Sequence, residues 1–144
     1  MKKLFTTLLS CFALLSASSQ TVTISPLPQK ITWGEQVFSN AQAFYIVGAD
    51  KADSDAVALL SDKLNIVGTH TKVDAKKFPD AKPIIIGESG DKAVAKFKKL
   101  IPANNEGYYL NVAADQVVLA GRDNSGTYYA AQTLLQVMSQ PEVM

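Results

Sequence analysis

Apolar and polar positions fall into short runs along this chain, and their spacing predicts its elements. Tyr108, Leu110 and Val112 alternate with Tyr109 and Asn111, and Val117 and Leu119 alternate with Val118 and Ala120, which is strand periodicity. Ala113-Ala114-Asp115 between the two runs is short enough for a hairpin. The corner Gly121-Arg122-Asp123-Asn124-Ser125-Gly126 then turns the second strand into a helix. Gly121 can take a backbone conformation closed to other residues, Asp123 or Ser125 can accept from the first free helix N–H groups, and Gly126 lets helix and sheet approach closely. No charged residue lies between Asp123 and Glu142. Tyr128, Ala131, Leu135 and Met138 share one face of the helix, while Tyr129, Leu134 and Val137 lie on others. A helix that is apolar nearly all round is buried on more than one side, and its own sheet covers only one. Its outer side is therefore a candidate docking surface, carried by Tyr128, Tyr129, Ala131, Leu134, Leu135 and Met138.

Upstream, the residues AFYIV at 43–47 read as a strand ending at Gly48, and Asp50-Lys51-Ala52-Asp53-Ser54 as a helix start. The spacing Val57, Leu60, Leu64, Val67 predicts a one-sided helix closed by Gly68, with Asp62 and Lys63 on the wet side. Residues 69–73 are a weaker strand candidate. PIII at 83–86 is a fully apolar run of the kind found in a central strand covered on both faces. Over residues 92–100, Val94, Phe97 and Ile101 face one way and Lys96, Lys98 and Lys99 the other, which predicts an amphipathic helix ended by Pro102. Val22 with Ile24, and Ile31 through Trp33, suggest a short edge ribbon broken by Pro26 and Pro28 and turning at Gly34-Glu35. Together the elements predict an α+β fold of two layers, a mixed sheet with helices against it.

Residues 1–19 stand apart from this pattern. Lys2 and Lys3, an apolar stretch over 4–15 and the small residues Ala17-Ser18-Ser19 have the layout of a secretory signal peptide with cleavage before Gln20. The apolar run is shorter than the roughly 20 residues of a membrane helix, so no membrane span is expected. Cys11 after Leu8-Leu9-Ser10 gives the alternative of a lipoprotein anchor. The expectation is an exported, periplasmic or extracellular protein whose folded domain occupies 20–144.

At 47% hydrophobic and 19% charged residues with a formal net charge of +1, the composition is that of one globular domain and implies no nucleic-acid partner. Loss of the signal removes Cys11, the one cysteine, and with it disulfides, thiol chemistry and cysteine-ligated metal. His70, the one histidine, has neither companion ligands nor an orienting carboxylate nearby in sequence and reads as a solvated loop residue. Gly87-x-x-Gly90-x-Lys92 lacks the spacing of a phosphate loop and reads as a strand-to-helix turn. No cofactor or metal is expected. Trp33 is a candidate for stacking on a sugar ring, although a single Trp beside Ile31 more often packs.

The runs EGYYL, VVLAGRD and GTYYAAQTLLQ, with the earlier PLPQKITWG, resemble the N-terminal domain that precedes the catalytic barrel in secreted β-N-acetylhexosaminidases and related enzymes of glycoside hydrolase families 20 and 84. The resemblance covers most of the chain after Val22. It implies a mostly antiparallel sheet with two main helices on one face, the last of them sandwiched between that sheet and a (β/α) barrel. Glycoside hydrolysis needs two carboxylates, or an acid plus a group that orients the substrate's acetamido oxygen. The family places these on the barrel, and Glu88, Glu106, Asp115 and Asp123 each have a plain turn, cap or strand-edge role, so no catalytic residue is expected here. The expected function is a non-catalytic accessory domain, present as a fragment or truncated product of an exported hexosaminidase-type enzyme acting on N-acetylglucosamine-containing glycans. The alternatives are a free-standing glycan- or protein-binding module and a structural protein that self-associates through the same helix.

Overall fold

A computed structural model describes residues 23–34, 41–51 and 53–139. The signal-like segment with Cys11, the expected strand residue Val22, the turn residue Glu35 and the end of the chain at Pro141 lie outside the described residues. Five strands form one sheet in the order β2-β1-β3-β5-β4, with β1 at Ala43–Val47, β2 at Asn65–His70, β3 at Ala81–Glu88, β4 at Tyr108–Val112 and β5 at Val117–Gly121. The pairs β1–β2, β1–β3 and β3–β5 are parallel, and only the β4–β5 hairpin is antiparallel. The sheet is thus mixed but mostly parallel, and the fold is α/β rather than α+β with a mostly antiparallel sheet.

Alternation in the central strands builds two cores. Phe44 and Ile46 of β1, Ile84 and Ile86 of β3, and Val117 and Leu119 of β5 point to one face. Helices α1, Ser54–Lys63, and α2, Asn124–Met138, cover that face with Ala56, Leu60, Ala130, Ala131 and Leu134. Both main helices therefore lie on one face, as expected. Tyr45, Val47, Ile85, Val118 and Ala120 point the other way and are covered by Val94 and Ile101 of a 3₁₀ helix, Lys92–Leu100, and its exit. Phe78, on the connection from β2 to β3, adds its ring to that side, stacked on Tyr45 at 4.3 Å. The molecule has three layers where two were expected. β3 and β5 are covered on both faces, which is why PIII and VVLA read as unbroken apolar runs.

The structure departs from the sequence pattern at four places. The first helix stops at Lys63, and Leu64 is already extended, so Val67 and Gly68 belong to β2 rather than to the helix. Leu64 and Val67 continued the helical spacing by coincidence, while Ile66, Val67 and Thr69 have the branched side chains that suit a strand. His70 accordingly ends a strand instead of sitting in a loop. The N-terminal ribbon is also missing: residues 23–34 carry no strand, because Pro26 and Pro28 remove the backbone donors a ladder needs. Gly121 has no positive φ. It is a strand residue whose absent side chain makes room, since a Cβ there would collide with the Thr127 backbone nitrogen and hydroxyl. Among the described residues, no helix is long and apolar enough to cross a membrane.

Gly121→Ala should therefore push α2 away from β5. The expected cost is about 1–3 kcal/mol, the usual penalty for overpacking, read as a lower urea midpoint; an unchanged midpoint would contradict this account of the seam.

Candidate docking surface

The surface of interest is the outer side of α2, and its position is set by the corner before it. Asp123 is the N-cap of α2, with extended backbone, and its Oδ1 accepts from the Gly126 N–H at 2.9 Å. Its Oδ2 accepts from the Glu106 N–H at 3.0 Å, so one carboxylate ties the helix start to the loop before β4. Glu106 has φ 63°, a strained value for a residue with a side chain, and Asp123 helps hold it there. The Arg122 N–H donates to the Gly107 carbonyl at 2.7 Å, and Gly126 lies so close to that carbonyl that any Cβ would overlap it. On the helix itself the buried Thr127 hydroxyl lies 3.2 Å from the Asp123 carbonyl and 3.4 Å from that of Gly87 at the end of β3. Nearly two turns further on, Thr133 and the Tyr108 hydroxyl share a hydrogen bond of 2.8 Å.

These ties divide the six candidate docking residues. Ala131 and Leu134 are fully buried in the domain's own core, so they are spent inside it. Tyr128, Leu135 and Met138 are half-buried along its margin, and Tyr129 is the exposed one at 36%. Tyr129, Gln132 and Gln136 follow one another at spacings of three and four and form an uncharged outer stripe.

What lies on that stripe leaves no local signal in the chain. The Gln136 side chain pairs with the backbone of Ser25 at two points: the Ser25 N–H donates to Oε1 at 2.7 Å, and Nε2 donates to the Ser25 carbonyl at 2.9 Å. Ile24 beside it is buried. The segment 23–34 is thereby strapped to α2, and it then presents Leu27, Ile31 and Trp33 to solvent, at 79%, 37% and 55% exposure. Trp33 is thus an exposed ring on the strap and not a packing residue of the core. Gln136 is the signal that could have revealed the strap, since a long amide can imitate a backbone partner, but nothing in sequence pairs it with Ser25.

A second group of polar residues gathers at the carboxyl ends of the parallel strands. The Asp50 N–H donates to Asp53 Oδ2 at 3.1 Å after β1, and the Glu88 N–H donates to Asp91 Oδ2 at 2.6 Å after β3, the same turn used twice. Two shallow clefts of about 450 and 230 Å³ open here, the larger beside Asp50, Ser54 and His70 and the smaller beside Asp91 and Lys92. The His70 Nδ1 lies 2.9 Å from the Lys72 carbonyl. Among the described residues, no three His, Cys, Asp or Glu side chains are placed to hold a metal ion. The four carboxylates considered for catalysis each have another role: Asp123 caps α2, Glu106 offers its backbone to Asp123, Glu88 ends β3, and Asp115 sits in the β4–β5 turn.

The two backbone donors hold Asp123 below the ordinary aspartate range, the Glu106 N–H first and the Gly126 N–H next. A lowered folded value means stability that is present above the unfolded pKa and lost as pH falls through the folded one. Asp123→Ala should lower stability at neutral pH by about 0.5–2 kcal/mol, the range for losing an N-cap. The unfolding temperatures of the two proteins should converge as pH falls below the ordinary aspartate range and Asp123 takes up its proton, and a difference that never narrows in acid would assign the loss to something other than the carboxylate.

A family model described as glycosyl hydrolase family 20, domain 2, matches residues 21–143. The solved structure of CpGH84D is similar to this chain with a TM-score of 0.64 at 18% sequence identity, over 85% of this chain and 22% of that one. At this identity the likeness carries the fold alone, and this chain spans less than a quarter of the length of the protein it matches. The match of the family model from the strap through α2 is of another order: the chain belongs to glycosyl hydrolase family 20, as its domain 2, the N-terminal non-catalytic domain of hexosaminidases.

Proposed function

We propose that this domain is an accessory module of an exported β-N-acetylhexosaminidase-type glycoside hydrolase acting on N-acetylglucosamine-containing glycans, and that it docks onto the catalytic barrel through the outer side of α2. The observation that carries the reading is the surface itself. α2 has no charged residue from Asn124 to Met138, its outer stripe is Tyr129, Gln132 and Gln136, and the strap bound to it adds exposed Leu27, Ile31 and Trp33. An uncharged helix face flanked by exposed apolar side chains suits a contact surface. The similar structure supports the partner's nature, since the domain matches part of a much longer glycoside hydrolase family 84 chain. Export rests on the signal-like residues 1–19. Lipidation at Cys11 is the competing route to the same compartment.

The second reading is a free-standing module that binds glycans or another protein, and the exposure of the Trp33 ring favours it, because a planar apolar face in water is what a sugar ring stacks on. Under the first reading, the DNA beyond codon 144 encodes a barrel with adjacent acidic residues, and the isolated domain hydrolyses no aryl β-N-acetylglucosaminide.

Tyr129→Glu gives the sharper test. In the isolated domain the side chain faces water, and the substitution should change stability by less than about 0.5 kcal/mol. In the longer enzyme it places a charge in an uncharged contact and should lower the unfolding temperature and the glycosidase activity together. Equal behaviour of the two longer proteins would remove α2 as the docking surface, and isothermal titration of the isolated domain with chitooligosaccharides would then decide for or against the glycan-binding module.

A further inference from the structure

The carboxyl edge of the sheet holds a buried acid with one oxygen that no hydrogen bond uses. Asp53 precedes α1 and is 1% exposed. Its side chain makes no capping bond to the helix. Oδ2 accepts from the Asp50 N–H, while Oδ1 is enclosed and has no hydrogen-bond partner. An ionised carboxylate in that position has an unsatisfied charged oxygen, which is the costly state of a buried polar group.

The surroundings add to the cost. Asp50 on the same loop and Asp91 on the loop after β3 both bear on Asp53 through space, and Glu88 at the end of β3 feels Asp53, Asp91, Asp50 and Asp123 in turn. The cations on the packed elements are Lys51 beside Asp50, Lys92 at the start of the 3₁₀ helix, Lys72 after β2 and Arg122 before α2, with His70 at the end of β2 and exposed Asp55 in the first turn of α1. None of the described lysines or arginines forms an ion pair with Asp53, Glu88 or Asp91. A proton is the one ligand small enough for the enclosed oxygen.

We infer that Asp53 is a built-in proton site, carrying its proton on Oδ1 in the folded domain at pH values where an exposed aspartate has already lost it, and that uptake of this proton stabilises the fold where the loops following β1 and β3 meet. Protonation leaves Oδ2 free to keep its bond from Asp50 and removes the repulsion that Asp50 and Asp91 exert. Burial first, and the neighbouring carboxylates after it, raise Asp53 above the ordinary aspartate range, and the same causes raise Glu88. The sign follows: where the folded value exceeds the unfolded one, the folded chain holds the extra proton, so stability falls as pH rises between the two values. This is opposite to the effect of Asp123.

Urea unfolding of the natural chain and of Asp53→Asn between pH 4 and pH 7.5 tests the inference, with Asp55→Asn as the exposed control on the same helix. The ratio of the unfolding constants, natural over Asp53→Asn, should rise with pH, at most by about tenfold per pH unit for a single proton, and should rise more steeply than the ratio of natural over Asp55→Asn. A flat or falling ratio overturns the proposal. Carbon-13 titration of the Asp53 carboxyl in the natural chain needs no variant and should place its midpoint above that of Asp55. A midpoint at or below that of Asp55 overturns the proposal as well.

Discussion

The close approach of α2 to β5 is the constraint on which the rest of the structure depends. Neither Gly121 nor Gly126 has room for a side chain: the first abuts the backbone of Thr127, the second the carbonyl of Gly107. Because of that approach, Thr127 can reach the end of β3 and Thr133 can meet Tyr108, so the helix is registered against three strands at once. Asp123 fixes the helix start with one oxygen and the strained Glu106 loop with the other. Ala130, Ala131 and Leu134 then fall onto the central strands, and what remains of α2 faces outward without charge.

Much of this was legible in the sequence, because its causes are local. The AFYIV and PIII runs, the YYLNV and VVLAG strands with a short turn between them, and the GRDNSG corner each carry their signal within a few residues. The direction of the strands was not legible. Alternation says which residues share a face and says nothing about whether neighbours run the same way. The PIII run, apolar on both faces, was itself a sign of a parallel strand between two layers. The end of α1 was obscured because Leu64 and Val67 fall by chance at helical spacing.

The candidate surface was half legible for the same reason. The lack of charge on α2 is visible in the sequence, but which apolar residues its own sheet takes depends on how the helix is rotated, and that is set by Gly121 and Gly126 through contacts from other elements. Ala131 and Leu134 go inward on that account. The strap could not be read at all, since Ser25 and Gln136 are 111 positions apart. Asp53 shows a related limit: DKADS reads as an ordinary helix start, and only the fold brings Asp91 and Glu88 to its buried carboxyl.

The proposed docking rests on the side of α2 that the fold does not spend, together with its strap. Hydroxyl-radical footprinting of the gene product purified from its native host, set beside the isolated residues 20–144, reads this most directly through Tyr129 and Trp33. Docking predicts that both rings are modified several-fold more slowly in the native product than in the isolated domain, while exposed Val67 and Leu100, away from α2, are modified equally in the two. Equal modification of Tyr129 and Trp33 in both samples would contradict it.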